Sequence, residues 1–136
     1  MFDLPIVGPT SHYFYSQRLK LHYVDWGNAD KPLMVLVHGG RDHARNWDQV
    51  ALHLRAAYHI IAPDLRGHGD SEWARGSEYS MIEYVLDLAQ LLEQLADFPV
   101  LVLDEPTANL DPATADALTD DLLTATEGRT TLLITH

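Results

Sequence analysis

The feature that most constrains this chain is Leu33-Met34-Val35-Leu36-Val37, five apolar residues in a row that end at His38-Gly39-Gly40. A strand wetted on one face alternates apolar and polar side chains, whereas an unbroken aliphatic run fits a parallel strand covered by helices on both faces. Parallel strands need crossover connections, and these are right-handed. Three more short strands follow the theme: His59-Ile60-Ile61-Ala62, stopped by Pro63; Val100-Leu101-Val102-Leu103, preceded by Pro99; and Thr130 to Thr135.

The segments between them carry helical spacing. Trp47, Val50, Ala51 and Leu54 recur along Asn46 to Ala57. Ser80 with Glu83 predicts a capping box, opening a helix to Ala96 whose apolar stripe is Ile82, Val85, Leu88, Leu92 and Leu95. Asp111-Pro112 supplies an N-cap and a first-turn proline for a helix to about Thr126, which Gly128 stops. Ahead of all these, Tyr13 to Gln17 and Leu19 to Trp26 alternate, with Leu19, Leu21 and Tyr23 set against Lys20 and His22, which predicts a half-buried hairpin.

Length and charge narrow the classes. The 136 residues suffice for one core, so a single domain over 1–136 is expected. Nine Lys and Arg stand against 20 Asp and Glu, a formal charge of -11 that repels nucleic acid and anionic membrane surfaces. There is no cysteine, hence no disulfide and no thiol nucleophile. Met1 to Pro5 lacks a basic, then apolar leader pattern, and no apolar run approaches the ~20 residues of a membrane span. The expectation is a cytoplasmic protein, or one met only in recombinant expression.

Two sets of motifs carry family resemblance. Leu36-Val37-His38-Gly39-Gly40, then Asn46-Trp47, then Ala62-Pro63-Asp64-Leu65-Arg66-Gly67-His68-Gly69-Asp70-Ser71 make residues from about 11 to 99 resemble the N-terminal part of an α/β-hydrolase of the esterase, epoxide-hydrolase and haloperoxidase-like kind. The resemblance implies that His38, Gly39 and Gly40 form the oxyanion loop, whose backbone N–H groups face a developing negative oxygen. Gly67 and Gly69 would permit a tight loop. The family's G-x-S-x-G nucleophile elbow does not occur in the 136 residues. Pro106 stands near where its serine would be.

Residues 100–136 resemble instead the second half of an ABC-transporter ATPase. Leu101-Val102-Leu103-Asp104-Glu105-Pro106-Thr107 matches that family's Walker B strand, Ala108-Asn109-Leu110-Asp111 its D-loop, and Thr131-Leu132-Leu133-Ile134-Thr135-His136 its switch-histidine strand. Carried over, Asp104 would support Mg²⁺, Glu105 would polarise the attacking water, Asp111 would sit at a dimer interface and His136 would face the γ-phosphate. The phosphate-cradling G-x-x-x-x-G-K-[ST] is not present, and the only lysines are Lys20 and Lys31.

The alternation of strands and helices argues for one mostly parallel, three-layer α/β/α (Rossmann-like, P-loop-like) sheet with an N-terminal antiparallel hairpin, and both resemblances fit it with strand order 1-2-4-3-5-6. The ATPase-like strand takes the slot of the hydrolase's fifth strand. The resulting expectation is a recombined or engineered chimeric scaffold without a complete active site. His38, Gly39, Gly40, Glu105 and His136 would be vestiges of catalytic sites and Asp104 of a metal site, with no metal or cofactor expected. The alternatives are a weak esterase using the oxyanion loop and residual Mg²⁺-nucleotide binding at the ATPase-derived strand edge.

Each of these residues also has a purely structural role open to it. His38 bonds loop backbone; Asp64, Arg66, His68 and Asp70 form a hydrogen-bonded turn; Asp111 is an N-cap; His136 is a frayed end. The eight histidines read as scatter, since none pairs at helical ligand spacing. The expected partner is another copy of the chain, through an exposed C-terminal edge strand Thr130 to Thr135.

Overall fold

The computed structural model describes residues 7–95 in full and the backbone of Val100–Asp104 and Thr130–Ile134. Its strands are β1 (Thr10–Ser16), β2 (Leu19–Asp25), β3 (Leu33–Val37), β4 (His59–Pro63), β5 (Val100–Asp104) and β6 (Thr130–Ile134). They form one sheet in the order β1-β2-β4-β3-β5-β6, as expected. β1 with β2 and β2 with β4 are antiparallel, while β4, β3, β5 and β6 run parallel.

The apolar run of β3 shows why it is unbroken. Leu33, Val35 and Val37 join Ile61, Leu88 and Leu92 on one face, and Met34 and Leu36 join Val24, Trp26, Ala44, Ala51, Ile60 and Ala62 on the other. Each fully buried aliphatic side chain contributes about 1.5–3 kcal/mol. Helix α2 (Met81–Gln94) covers the first face; a short 3-10 helix (Ala44–Trp47) running into α1 (Asp48–Leu54) covers the second.

Several boundaries differ from expectation. The hairpin's first strand starts at Thr10, because pairing with β2 continues to Thr10↔Asp25 beyond the alternating stretch. Its turn is Gln17-Arg18 with φ of 48° and 69°, the left-handed pair that a two-residue turn matched to strand twist demands. The helix expected over 46–57 is shorter and begins as a 3-10 turn, and Val50 stays exposed.

On α2, Leu88 and Leu92 are core, but Ile82 is 65% exposed and Leu91, outside the expected stripe, is buried. Ile82 falls in the first turn of α2. The Ser80 hydroxyl bonds the Glu83 carboxylate directly, and neither side chain takes up the backbone N–H that the expected capping box assigns to it. The helix expected from Asp111 to Thr126 lies outside the described residues. None of the described helices is long and apolar enough to cross a membrane.

Candidate functional site

The parallel strands deliver their C-terminal ends to one edge of the sheet, where the loops after β3 and β4 meet. His38 leaves β3 buried at 3% exposure. Its Nδ1–H donates to the Gly39 carbonyl at 2.6 Å, and its Nε2 accepts the Leu65 N–H at 3.0 Å. That pairing fixes a neutral ring. Burial lowers the His38 pKa below its ordinary value, with His68 adding a like-charge penalty, although the Gly39 carbonyl pulls the other way.

His68, whose ring centroid lies 5.2 Å from that of His38, repeats the device. Its Nδ1–H donates to the Arg66 carbonyl at 2.9 Å and its Nε2 accepts the Arg41 N–H at 3.3 Å. The segment His38 to Arg41 is thereby stitched at both ends to the loop after β4. Arg41 adopts φ of 62°, and Gly40 is exposed with open space where a Cβ would be. The backbone there is held in place and reachable from solvent, which is what an oxyanion loop requires.

Asp64 anchors the second loop. Its Oδ1 accepts the Ala44 N–H at 2.7 Å; its Oδ2 accepts the Asp70 N–H at 3.1 Å and the His22 Nδ1–H at 2.7 Å. Burial would raise its pKa, but the two backbone donors and the His22 ring outweigh burial and hold the carboxyl below the usual range. Gly67 and Gly69 have φ of 76° and 51°, and a Cβ on Gly69 would collide with the Asp64 carboxylate. The expected glycine requirement is met.

The described polar loop is a hydrogen-bonded turn, yet it contains an element the sequence reading missed. Arg66 is 1% exposed and grips Asp87 of α2, which also accepts bonds from Ser16 at 2.6 Å and Gln17 at 2.9 Å. The available signal was an aspartate interrupting an apolar helix face beside Leu88 and Leu91, since a buried charge requires a partner. His22 was also missed. It is 2% exposed despite its polar slot in the alternation, because the loop from Asp64 to Glu72 packs along β2.

The reading of the histidines as scatter is therefore corrected for His22, which shares a cluster with Asp64 and Asp70 whose ligand atoms lie within 4.8 Å of one another. The donor set would suit a divalent cation. The bond between His22 and Asp64 already satisfies two of those atoms, so the cluster stands complete as a hydrogen-bonded group.

The remaining expected site residues divide in two. In the parallel β3–β5 pair Val37 is in register with Leu103, so His38 and Asp104 occupy the next positions at the ends of neighbouring strands. Glu105, Pro106, Asp111 and His136 lie outside the described residues.

Comparison with known proteins places these features. The chain matches the Alpha/beta hydrolase family over residues 34–136, a stretch that crosses the boundary drawn between the two motif sets at residue 99. It is 33% identical over 78 residues to Epoxide hydrolase 4 of Mus musculus (57% of this chain, 22% of that protein). It is 36% identical over 85 residues to Lipase LipV of Mycobacterium tuberculosis (62% and 31%). The chain thus spans less than a third of the length of either relative. Among solved structures, an alpha/beta hydrolase from Novosphingobium aromaticivorans superposes with a TM-score of 0.77 at 24% identity, over 95% of this chain and 45% of that one.

Proposed function

Because this chain belongs to the Alpha/beta hydrolase family, we propose that it carries the anion-stabilising half of an ester- or epoxide-hydrolysing site. In our reading that half is recombined with an ABC-ATPase-like segment, so that the strand due to deliver a nucleophile delivers Asp104 instead. The observation that carries this is the register Val37↔Leu103, which puts Asp104 beside His38 at the strand ends, together with the lack of G-x-S-x-G in the 136 residues.

The chemistry follows from these parts. The pinned loop from His38 to Arg41 offers backbone N–H groups to an ester carbonyl or an epoxide oxygen, the electrophiles suggested by the epoxide hydrolase and lipase relatives. His38 uses both ring nitrogens on backbone and is not a free base. Polarisation without an activated serine gives binding with little turnover. Nucleotide chemistry does not fit: no glycine-lysine phosphate cradle occurs, and Lys20 lies over the Tyr13 ring at 4.3 Å.

The test is hydrolysis of p-nitrophenyl butyrate and of styrene oxide by the purified chain, with intact-mass measurement. The expected result is no turnover that is lost in His38→Ala or Asp104→Asn. A second reading rests on the position of Asp104: a carboxylate at that strand end can attack an epoxide or ester carbon directly, forming a covalent ester. A substrate-derived mass increase that disappears in Asp104→Asn would establish the second reading and overturn the first. Thermal melts with Mg²⁺ and ATP are expected to show no shift, since only a ligand that binds the native state raises the midpoint.

A further inference from the structure

We propose that Ser11, His22 and Asp64 form a second, separate nucleophilic relay at the edge of the sheet, able to take up an acyl or phosphonyl group on the Ser11 hydroxyl. The inference uses none of the residues at the ends of β3 and β5 and stands whether or not the reading above holds.

The geometry is that of an oriented base behind an accessible hydroxyl. Ser11 Oγ lies 3.0 Å from His22 Nε2, and His22 Nδ1 lies 2.7 Å from Asp64 Oδ2. His22 and Asp64 are 2% and 4% exposed, while Ser11 faces solvent. Asp64 receives two fixed backbone donors, from Ala44 and Asp70, and is held ionised by them. The Asp64 carboxylate can only accept, so Nδ1–H of His22 donates to it, and Nε2 is the ring nitrogen that faces the Ser11 hydroxyl.

The His22 ring is buried at 2% exposure, and its main chain is fixed on both sides. The His22 N–H donates to Ser71 Oγ at 2.8 Å, and the His22 carbonyl accepts the Asp64 N–H at 2.8 Å. Such backbone anchoring on both sides is what separates a preorganised base from a surface histidine that meets a serine by chance.

The surroundings define the substrate class. Among the described residues β1 is an edge strand that pairs only with β2, and Ser11 on it is exposed. Tyr13 stands opposite His22 with ring centroids 5.2 Å apart, and Tyr13 and Tyr15 are 49% and 66% exposed. Lys20 brings a cation over the Tyr13 ring. An aromatic platform with one positive charge fits small aryl esters, above all those bearing an anionic group.

The step balances without an added redox partner. The Ser11 oxygen attacks the ester carbonyl carbon, its proton passes to His22 Nε2, and the carbon–oxygen bond to the leaving phenol breaks as that proton is handed to the phenoxide. Water attacks the acyl-Ser11 with His22 again as base, releasing the acid and restoring the hydroxyl. With an alkyl fluorophosphonate the Ser11 oxygen–phosphorus bond forms, the phosphorus–fluorine bond breaks, and fluoride leaves with the proton going to solvent through His22.

The experiment is labelling of the full chain with a fluorophosphonate, followed by peptide mapping and rate measurement at each serine. Ser77 and Ser80 are exposed and serve as internal comparators. Ser11 is expected to label at least about tenfold faster than either, since a positioned base contributes about 10²–10⁴-fold. Asp64→Asn and His22→Gln are expected to reduce the Ser11 rate to that of the comparators while leaving theirs unchanged. Ser11 labelling no faster than Ser77 in the unmodified chain would overturn the proposal, and this comparison needs no variant to fold. Fast Ser11 labelling that persists in folded His22→Gln would overturn it as well.

Discussion

The Arg66 guanidinium holds the Asp87 carboxylate through two bonds, Nε to Oδ2 at 2.6 Å and Nη2 to Oδ1 at 2.9 Å, with both side chains nearly out of solvent. This pair ties the loop after β4 to α2, and Ser16 and Gln17 bring the hairpin turn onto the same carboxylate. Removing one member leaves the other buried without its counter-ion, although Arg66 keeps the Glu78 carbonyl and Asp87 keeps Ser16 and Gln17. Asp87→Ala is expected to cost about 3–5 kcal/mol in urea unfolding. The double change Arg66→Met with Asp87→Leu is expected to recover most of that loss, because an apolar pair of similar volume leaves no buried charge. Two losses that simply add would refute the coupling.

Stability is expected to fall on acidification in two stages. His38 has a folded pKa below its ordinary 6.5, so the unfolded chain binds the proton first. Its contribution is complete above about pH 6.5 and declines as the pH drops toward the folded value. Asp64 has a folded pKa below its ordinary 3.8, so its contribution is complete above that pH and is lost at still lower pH. Chemical denaturation from pH 8 to 3 checks both. His38→Gln should flatten the upper stage and leave the lower one.

Gly69 and the Asp64 side chain occupy adjoining space, with φ at Gly69 of 51°. Gly69→Ala adds a Cβ that meets the carboxylate and strains the backbone, and an expected destabilisation of about 1–3 kcal/mol follows. Gly40→Ala, at a position with open space around it, should change stability by less than about 1 kcal/mol. Equal effects of the two changes on the thermal midpoint would contradict this account.

Arg18 sits in the hairpin turn at φ of 69°. Its neighbour Gln17, at 48°, gains side-chain bonds to the Glu83 carbonyl and to Asp87, which offset its strain. Arg18→Gly is therefore expected to stabilise the fold by about 0.5–1 kcal/mol, since glycine adopts this conformation at no steric cost. An unchanged or lowered urea midpoint would count against it.

Much of this molecule was legible residue by residue. The unbroken run of β3 announced a strand buried on both faces, and Val35 and Leu36 do pack against opposite layers. The spacing of Leu88 and Leu92 announced the covering helix, and the histidine-glycine and aspartate-glycine loops announced the hydrolase family over the region where the match begins. These are local patterns, set by periodicities of two and 3.6 and by backbone freedom at glycine, so they survive in a one-dimensional string. What tertiary structure alone decided was which polar groups meet. Ser11, His22 and Asp64 lie on three separate segments, as do Ser16, Arg66 and Asp87, and nothing in their sequence spacing selects those partners. The fold selects them: antiparallel pairing of β2 with both β1 and β4 gathers Ser11, His22 and Asp64, the packing of α2 on the sheet brings Asp87 to Ser16 and Arg66, and burial then forces each charge or ring onto the nearest donor or acceptor.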